Sequence, residues 1–397
     1  MATTPLEDVK VLDLSQVLAG PLAAMLLGDM GCDVIKVEPL GGEATRHSFG
    51  TAAPWGETPG YLSVNRNKRS IALDLKSERG KELLLRLAAR ADVVIQNFRP
   101  GVAERLGLSY EELTRHNDRL IVCSISGFDA ASPYARRGGY DMMAQALSGI
   151  MSVTGDADGA PCRAGVPLAD VGTGLFAAVG ILGALMSRQT TGRGCKVATN
   201  LYDSALAYAV WDSAQYWATG AVPRALGSAH QMNAPYQAYR CKDGYVTVGA
   251  NNPKLWSRLC DALEHPEWDD DPRFASAPER VAHMAALARE IEGSIADKTR
   301  DEVEVLLERF DVPVGAVRTY DEVFDDATRA ADGMALTAEY GGHDATFLGS
   351  PLKVDGARLP LHRRPPELGE HTEEVLGWLG LSAEEVGELR SLGVVGG

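Results

Sequence analysis

The chain is 397 residues long, with 45% hydrophobic and 23% charged side chains and a formal net charge of −15. That length is too great for one ordinary core and implies two domains, or one large domain with an insertion. The composition is that of a globular protein, and the acidic balance argues against nucleic acid or an anionic membrane as the principal partner.

The opening residues, MATTPLEDVKVLDLS, hold no basic segment followed by an apolar run. They do not read as a secretory signal, and the expected compartment is the cytoplasm. Apolar strands and amphipathic helices then alternate. Strands are expected at 9–15 (VKVLDLS), 32–39 (CDVIKVEP), 69–75 (RSIALDL), 92–98 (DVVIQNF) and 119–127 (RLIVCSISG), with helices at 20–31 and 77–91. This alternation predicts an α/β fold: a Rossmann-like large domain whose parallel sheet is covered on both faces. The first strand–helix turn, LSQVLAGPLAA, carries no GxGxxG, so dinucleotide binding finds no support.

From Val171 through Met186 no side chain is charged, and Gly172, Gly174, Gly180 and Gly183 interrupt the apolar run. The run is marginal in length for a bilayer, and its glycines favour a helix packed closely in a core. Asp170 stands at its head, where a carboxylate serves as an N-cap.

The character changes after about residue 220. Residues 236–250 predict a hairpin turning at Lys242-Asp243-Gly244, followed by helical stretches at 253–263, 277–297 and 299–310. A strand and helix follow over 312–324, then two short helices, the second opened by a Ser382/Glu385 capping box. These divisions predict a large α/β domain over 1–224, a smaller α+β domain over 225–325, and a segment, 326–397, returning to the large domain.

Several chemistries are set aside directly. There is no GxxxxGK[ST], HExxH or GxSxG, and GDADGA (155–160) lacks the third ligand and closing glutamate of a calcium loop. The six cysteines (Cys32, Cys123, Cys162, Cys195, Cys241, Cys260) form no CxxC pair and lie beside no histidine cluster. They suggest neither a disulfide framework nor a metal site. Arg66, Lys68 and Arg69 precede a strand, either as a solvated edge or as a dock for phosphate groups. Asn97, Phe98 and Arg99 close the next strand at the end where open α/β sheets bind ligands, with Arg105 just beyond. Arg136, Arg137, Tyr140 and Asp141 precede another apolar helix.

The motifs VLDLSQVLAGP, GCDVIKVEP, NRNKRSIALDLKSERGKELLLRLAARADVVIQNFRPG, GYDMMAQALSG, LADVGTGLFAAVGILGAL, TGRGCKVATNLYDSAL, YRCKDGYVTVGANNPKLWSRLC and LGEHTEEVLGWLG follow one another over nearly the whole chain. Together they resemble the family III CoA-transferases, the group containing formyl-CoA transferase and carnitine CoA-transferase. The resemblance implies that Asp170 is a nucleophile attacking an acyl-CoA thioester, and that CoA is carried on it before passing to a carboxylic acid. It implies CoA contacts at Val17, Leu18 and Ala19, at Leu73, Asp74, Leu75 and Lys76, at Asn97, Phe98, Arg99 and Arg105, and at Gly139, Tyr140 and Asp141. It implies no cofactor, since the coenzyme A thioester is itself a substrate, with succinyl-CoA a widely available donor. The expected partners are acyl-CoA, a carboxylic acid and a second copy of the chain, in an interlocked homodimer.

Two departures stand out. Leu18 replaces a glutamine of the formyl-CoA enzyme, which weakens the case for oxalate or formate. The stretch matching that enzyme's glycine-rich flap, RALGSAHQMNAPYQAY (224–239), holds one glycine. A competing reading is the α-methylacyl-CoA racemases, which share the fold but place histidine where this chain has Tyr140. A phenol with a pKa of about 10 is a poor exchange base at neutral pH, and His230 is the only nearby substitute. A CoA-binding subunit without activity is a further alternative, which the intact Asp170 disfavours.

Overall fold

The computed structural model describes residues 4–48, 50–51, 53–324 and 333–397. The chain divides into two compact units, one of Met1–Ile150, Ala164–Ala214 and Ala327–Gly397, the other of Met151–Arg163 and Gln215–Asp326.

The first unit is built on a seven-stranded sheet. Its strands are β1 (Lys10–Asp13), β2 (Asp33–Glu38), β3 (Lys68–Leu73), β4 (Val93–Gln96), β5 (Ile121–Ser126) and β6 (Lys196–Asn200). The order is β3-β2-β1-β4-β5-β6, all parallel. This is the doubly wound arrangement, reversing direction between β1 and β4. Successive side chains of each strand feed opposite cores. Val11, Val34, Ile95 and Ile121 face one side, with Ala23, Leu27, Ala177 and Ile181. Leu12, Ile35, Ile71 and Val94 face the other, with Leu83, Leu87, Val375 and Val386.

The helices of this part of the chain are α1 (Ala19–Asp29), α2 (Pro59–Ser63), α3 (Glu78–Ala88), α4 (Val102–Arg105), α5 (Tyr110–His116), α6 (Asp141–Leu147), α7 (Ile150–Val153), α8 (Leu168–Thr191) and α9 (Leu201–Leu206). The basic cluster is spent inside the fold. Arg66 forms a two-pronged pair with Asp29, Lys68 lies 2.8 Å from Asp13, and Arg69 bridges Asp33 and Glu374. Its reading as a phosphate dock is therefore overturned, because each cation already has a carboxylate.

The expected core helix is α8, and it is buried on one side only. Ala169, Gly174, Ala177 and Ile181 are covered, whereas Leu175, Phe176, Val179 and Met186 are exposed. By length and composition alone it could cross a membrane, with half of its apolar window buried inside the protein.

The second unit holds a three-stranded antiparallel sheet of β7 (Tyr236–Cys241), β8 (Gly244–Gly249) and β9 (Val314–Ala316). The hairpin turns at Lys242-Asp243, where the Asp243 carboxylate accepts the Arg300 amide at 2.8 Å. Helices Pro253–Ala262, Met284–Ile295 and Arg300–Glu308 enclose a core of Tyr239, Val246, Trp256, Leu259, Leu287 and Val303. The single helix expected over 277–297 is two, separated at His283.

The remaining strands are β10 (Ala335–Tyr340), β11 (His343–Leu348), β12 (Lys353–Val354), β13 (Ala357–Arg358) and β14 (Val395–Gly396). The last pairs antiparallel with β3, so the chain's end completes the large sheet. Helix Ala383–Ser391 carries the expected Ser382/Glu385 capping box. The cysteines are free; Cys32, Cys123, Cys241 and Cys260 are buried, and Cys162 and Cys195 exposed.

Candidate active site

Helix α8 starts at Leu168 with Pro167 at the cap position, which offers no side-chain acceptor. Asp170 is therefore the third residue of the helix, and the N-cap role expected for it falls elsewhere. It is filled by Asp141, the first residue of α6. Its Oδ1 accepts the Ala169 amide at 2.8 Å and the Asp170 amide at 3.3 Å. Its Oδ2 accepts Gln145 Nε2 at 2.6 Å, and Gln145 Oε1 accepts the Ala164 amide at 2.9 Å. Sequence reasoning assigned Asp141 to the site but missed Gln145, since nothing local marks a glutamine as the brace of a distant cap.

Capping by Asp141 leaves the Asp170 carboxylate available. It is half-buried, and among the described residues no cation pairs with it. Burial, and then the neighbouring Asp141 charge, push its pKa up to about 6. Tyr208 Oη donates to the Leu168 carbonyl at 3.2 Å, directly over Gly172, where a Cβ would run into the phenol. Burial and Asp141 also push the Tyr208 hydroxyl upward.

The fold draws the other segments toward this helix head. The Thr173 hydroxyl lies 3.4 Å from the carbonyl of Asn200, the last residue of β6. A Cβ on Gly174 would sit 2.8 Å from the Ala19 carbonyl, so the glycine lets α8 lie against the start of α1. Gly139 packs backbone to backbone on Gly127, which follows β5, and so delivers Tyr140 and Asp141 to the same edge. Tyr140 occupies the cap position of α6 and is exposed.

Val17 and Leu18 lie in the turn between β1 and α1, and Ala19 is the first residue of α1. Leu73 is the last residue of β3 and fully buried, so its side chain packs in the core. Asp74 and Leu75 are half-buried beyond it, and Lys76 is exposed. Asn97, Phe98 and Arg99 follow β4. The Asn97 amide is occupied: Oδ1 accepts the Gln16 amide at 3.0 Å and Nδ2 donates to the Gln16 carbonyl at 2.7 Å. It fixes the first turn. Phe98 packs partly against the core, and Arg105 is exposed. Among the described residues Lys76, Arg99 and Arg105 form no ion pair. All these segments follow the carboxyl ends of parallel strands, the usual ligand edge of such sheets.

The arrangement offers an unpaired carboxylate at a helix head, a turn of fixed backbone and basic groups suited to phosphates. The model of "CoA-transferase family III" matches residues 6–372. The chain is 36% identical over 394 residues to a succinyl-CoA:glutarate CoA-transferase of Homo sapiens, covering 98% of this chain and 90% of that one. It is 39% identical over 391 residues to a succinyl-CoA:mesaconate CoA-transferase of Haloarcula hispanica, covering 95% and 96%. The crystal structure of a CaiB/BaiF family protein from Brucella suis superposes with a TM-score of 0.84 at 37% identity, over 95% of this chain and all of that one. The chain belongs to family III of the CoA-transferases.

Proposed function

We propose that this CoA-transferase moves CoA from succinyl-CoA to another small carboxylic acid through a thioester on Asp170. An Asp170 oxygen attacks the thioester carbonyl; the C–S bond breaks, leaving a mixed anhydride and CoA thiolate. The thiolate attacks the Asp170 carbonyl carbon, releasing the donor as its carboxylate and forming aspartyl-CoA. The acceptor carboxylate then attacks aspartyl-CoA and the same steps run in reverse. Charge balances throughout without proton transfer, and no cofactor beyond the CoA thioester is needed. The observation carrying this reading is the Asp170 carboxylate, partly desolvated, free of capping duty and unpaired with any described cation. A carboxylate tied to a cation is a poorer nucleophile. The helix dipole favours the oxyanions that develop nearby.

The racemase reading needs an acid and a base flanking the substrate α-carbon, and this chain has Tyr140 where that pair would include histidine. Succinyl-CoA as donor draws on the two relatives whose printed names include it; Leu18 favours an acceptor less polar than oxalate. The protein acts in the cytoplasm as a homodimer.

The test incubates the protein with succinyl-CoA and isotopically labelled acids and follows CoA products by mass spectrometry. Hydroxylamine should convert Asp170 to the hydroxamate, and borohydride should reduce it to the alcohol. A folded Asp170→Ala protein that still exchanges CoA at the wild-type rate overturns the mechanism. Deuterium entering the α-carbon of a branched acyl-CoA, with no acceptor present, restores the racemase.

A further inference from the structure

Among the described non-glycine residues with left-handed backbone, Val17 alone is β-branched, at φ 73°. Asparagine and aspartate adopt that region readily, whereas valine does so only when its surroundings force it. The forcing groups are identifiable. The Val17 amide donates to Glu43 Oε2 at 2.9 Å. The preceding Gln16 has both backbone groups held by Asn97, and the Ser15 carbonyl accepts Lys36 Nζ at 3.1 Å. Glu43 is 1% exposed and Lys36 fully buried. The second Glu43 oxygen lies 3.1 Å from Lys36 Nζ, and Lys36 also faces Asp13 at 3.9 Å. Lys68, buried as well, ties Asp13 to the Pro21 carbonyl and Asn65.

Burying these charges is costly, and well-packed apolar side chains would hold the sheet at least as firmly. What apolar residues could not supply is an acceptor for the Val17 amide. The turn so held leads directly to Leu18 at the cap of α1 and to Ala19, whose carbonyl abuts Gly174 in the helix bearing Asp170.

We infer that Glu43 is a positioning residue of the transfer reaction: its buried carboxylate locks the strained Val17 turn and fixes Leu18 and Ala19 beside the nucleophile's helix. This rests on the reading of Asp170 and the first turn as the acyl-CoA site.

The experiment compares wild type, Glu43→Ala, Val17→Gly and the double variant. Glu43→Ala should lower kcat/KM for acyl-CoA by at least about tenfold, because misplacement of a site element is expensive in rate. Val17→Gly removes a side chain of the acyl-CoA turn, so its own kcat/KM is the reference for the double variant; glycine adopts the left-handed turn unaided. In that background Glu43→Ala should cost less than about twofold, a rescue no purely structural role of Glu43 provides. Where Glu43→Ala does not fold, Glu43→Leu fills the space without an acceptor and replaces it in both comparisons. Hydrogen exchange at the Val17 amide should be slow in wild type and at least about tenfold faster without Glu43. That readout is independent of turnover: unchanged exchange, or no rescue by Val17→Gly, overturns the clamp. A wild-type protein that moves no CoA overturns the functional reading instead.

Discussion

In the mechanism we propose, Asp170 reacts as a carboxylate, so its proton affinity sets the acid side of the rate profile. With the pKa pushed up to about 6 by burial and by Asp141, kcat/KM should fall about tenfold per pH unit below that point. The same shift enters stability. The folded protein holds this proton where the unfolded chain has released it. The contribution favours the fold below the ordinary value of 3.8 and is lost as pH rises through about 6. Above that range the ionised side chain opposes folding by roughly 2 kcal/mol, allowing for its partial exposure. Asp170→Asn keeps the shape without the charge. Thermal melts should place it above wild type at pH 8, the difference shrinking toward pH 4, while transfer is lost; a variant less stable at pH 8 would refute the assigned environment. At this scale the sequence is legible where chemistry is local. A lone carboxylate heading an uncharged run marks Asp170. Its cap lies 29 residues earlier, and the carboxylates that neutralise Arg66, Lys68 and Arg69 come from other elements, so only the fold reveals either.

Among elements, the packing of α1 on α8 decides where Asp170 stands, and glycines permit it. At Gly174 the obstacle to a side chain is the Ala19 carbonyl together with Leu22, which the backbone cannot easily withdraw. At Gly172 it is the Tyr208 phenol, at the far end of a side chain that can swing away. Gly174→Ala should therefore cost about 1–3 kcal/mol and lower kcat, whereas Gly172→Ala should be milder on both counts. Denaturant unfolding and steady-state rates check the ranking, and equal losses would discredit it. The apolar runs behind β1 to β5 are visible in the sequence because a strand buried on both faces is continuously hydrophobic. β6 is not, since KVATN exposes alternate residues. β14 is two residues long and acquires meaning only from its pairing with β3. The uncharged run of α8 conceals a difference between its faces, because uniform hydrophobicity carries no periodicity.

That hidden face governs the molecule as a whole. Val179 is 66% and Met186 72% exposed, and Leu175 and Phe176 lie along the same helix. Met142, Met143 and Leu147 of α6 add further exposed apolar surface in the same unit. Exposed apolar surface on this scale marks a surface that another surface covers. A bilayer is a poor cover, because the opposite side of α8 already packs on α1, α6, β5 and β6. A lipid-spanning helix would have to abandon that core. A second copy of the chain has no such requirement, since the patch can meet itself about a two-fold axis. Sedimentation should therefore give twice the chain mass at micromolar concentration. Val179→Glu with Met186→Glu should lower the fraction recovered as dimer on assembly, because charges buried in an interface are left unpaired. Far-ultraviolet circular dichroism separates dissociation from unfolding, as neither position contributes to the core. A wild-type chain that sediments as a monomer and keeps full activity on dilution would exclude the dimer.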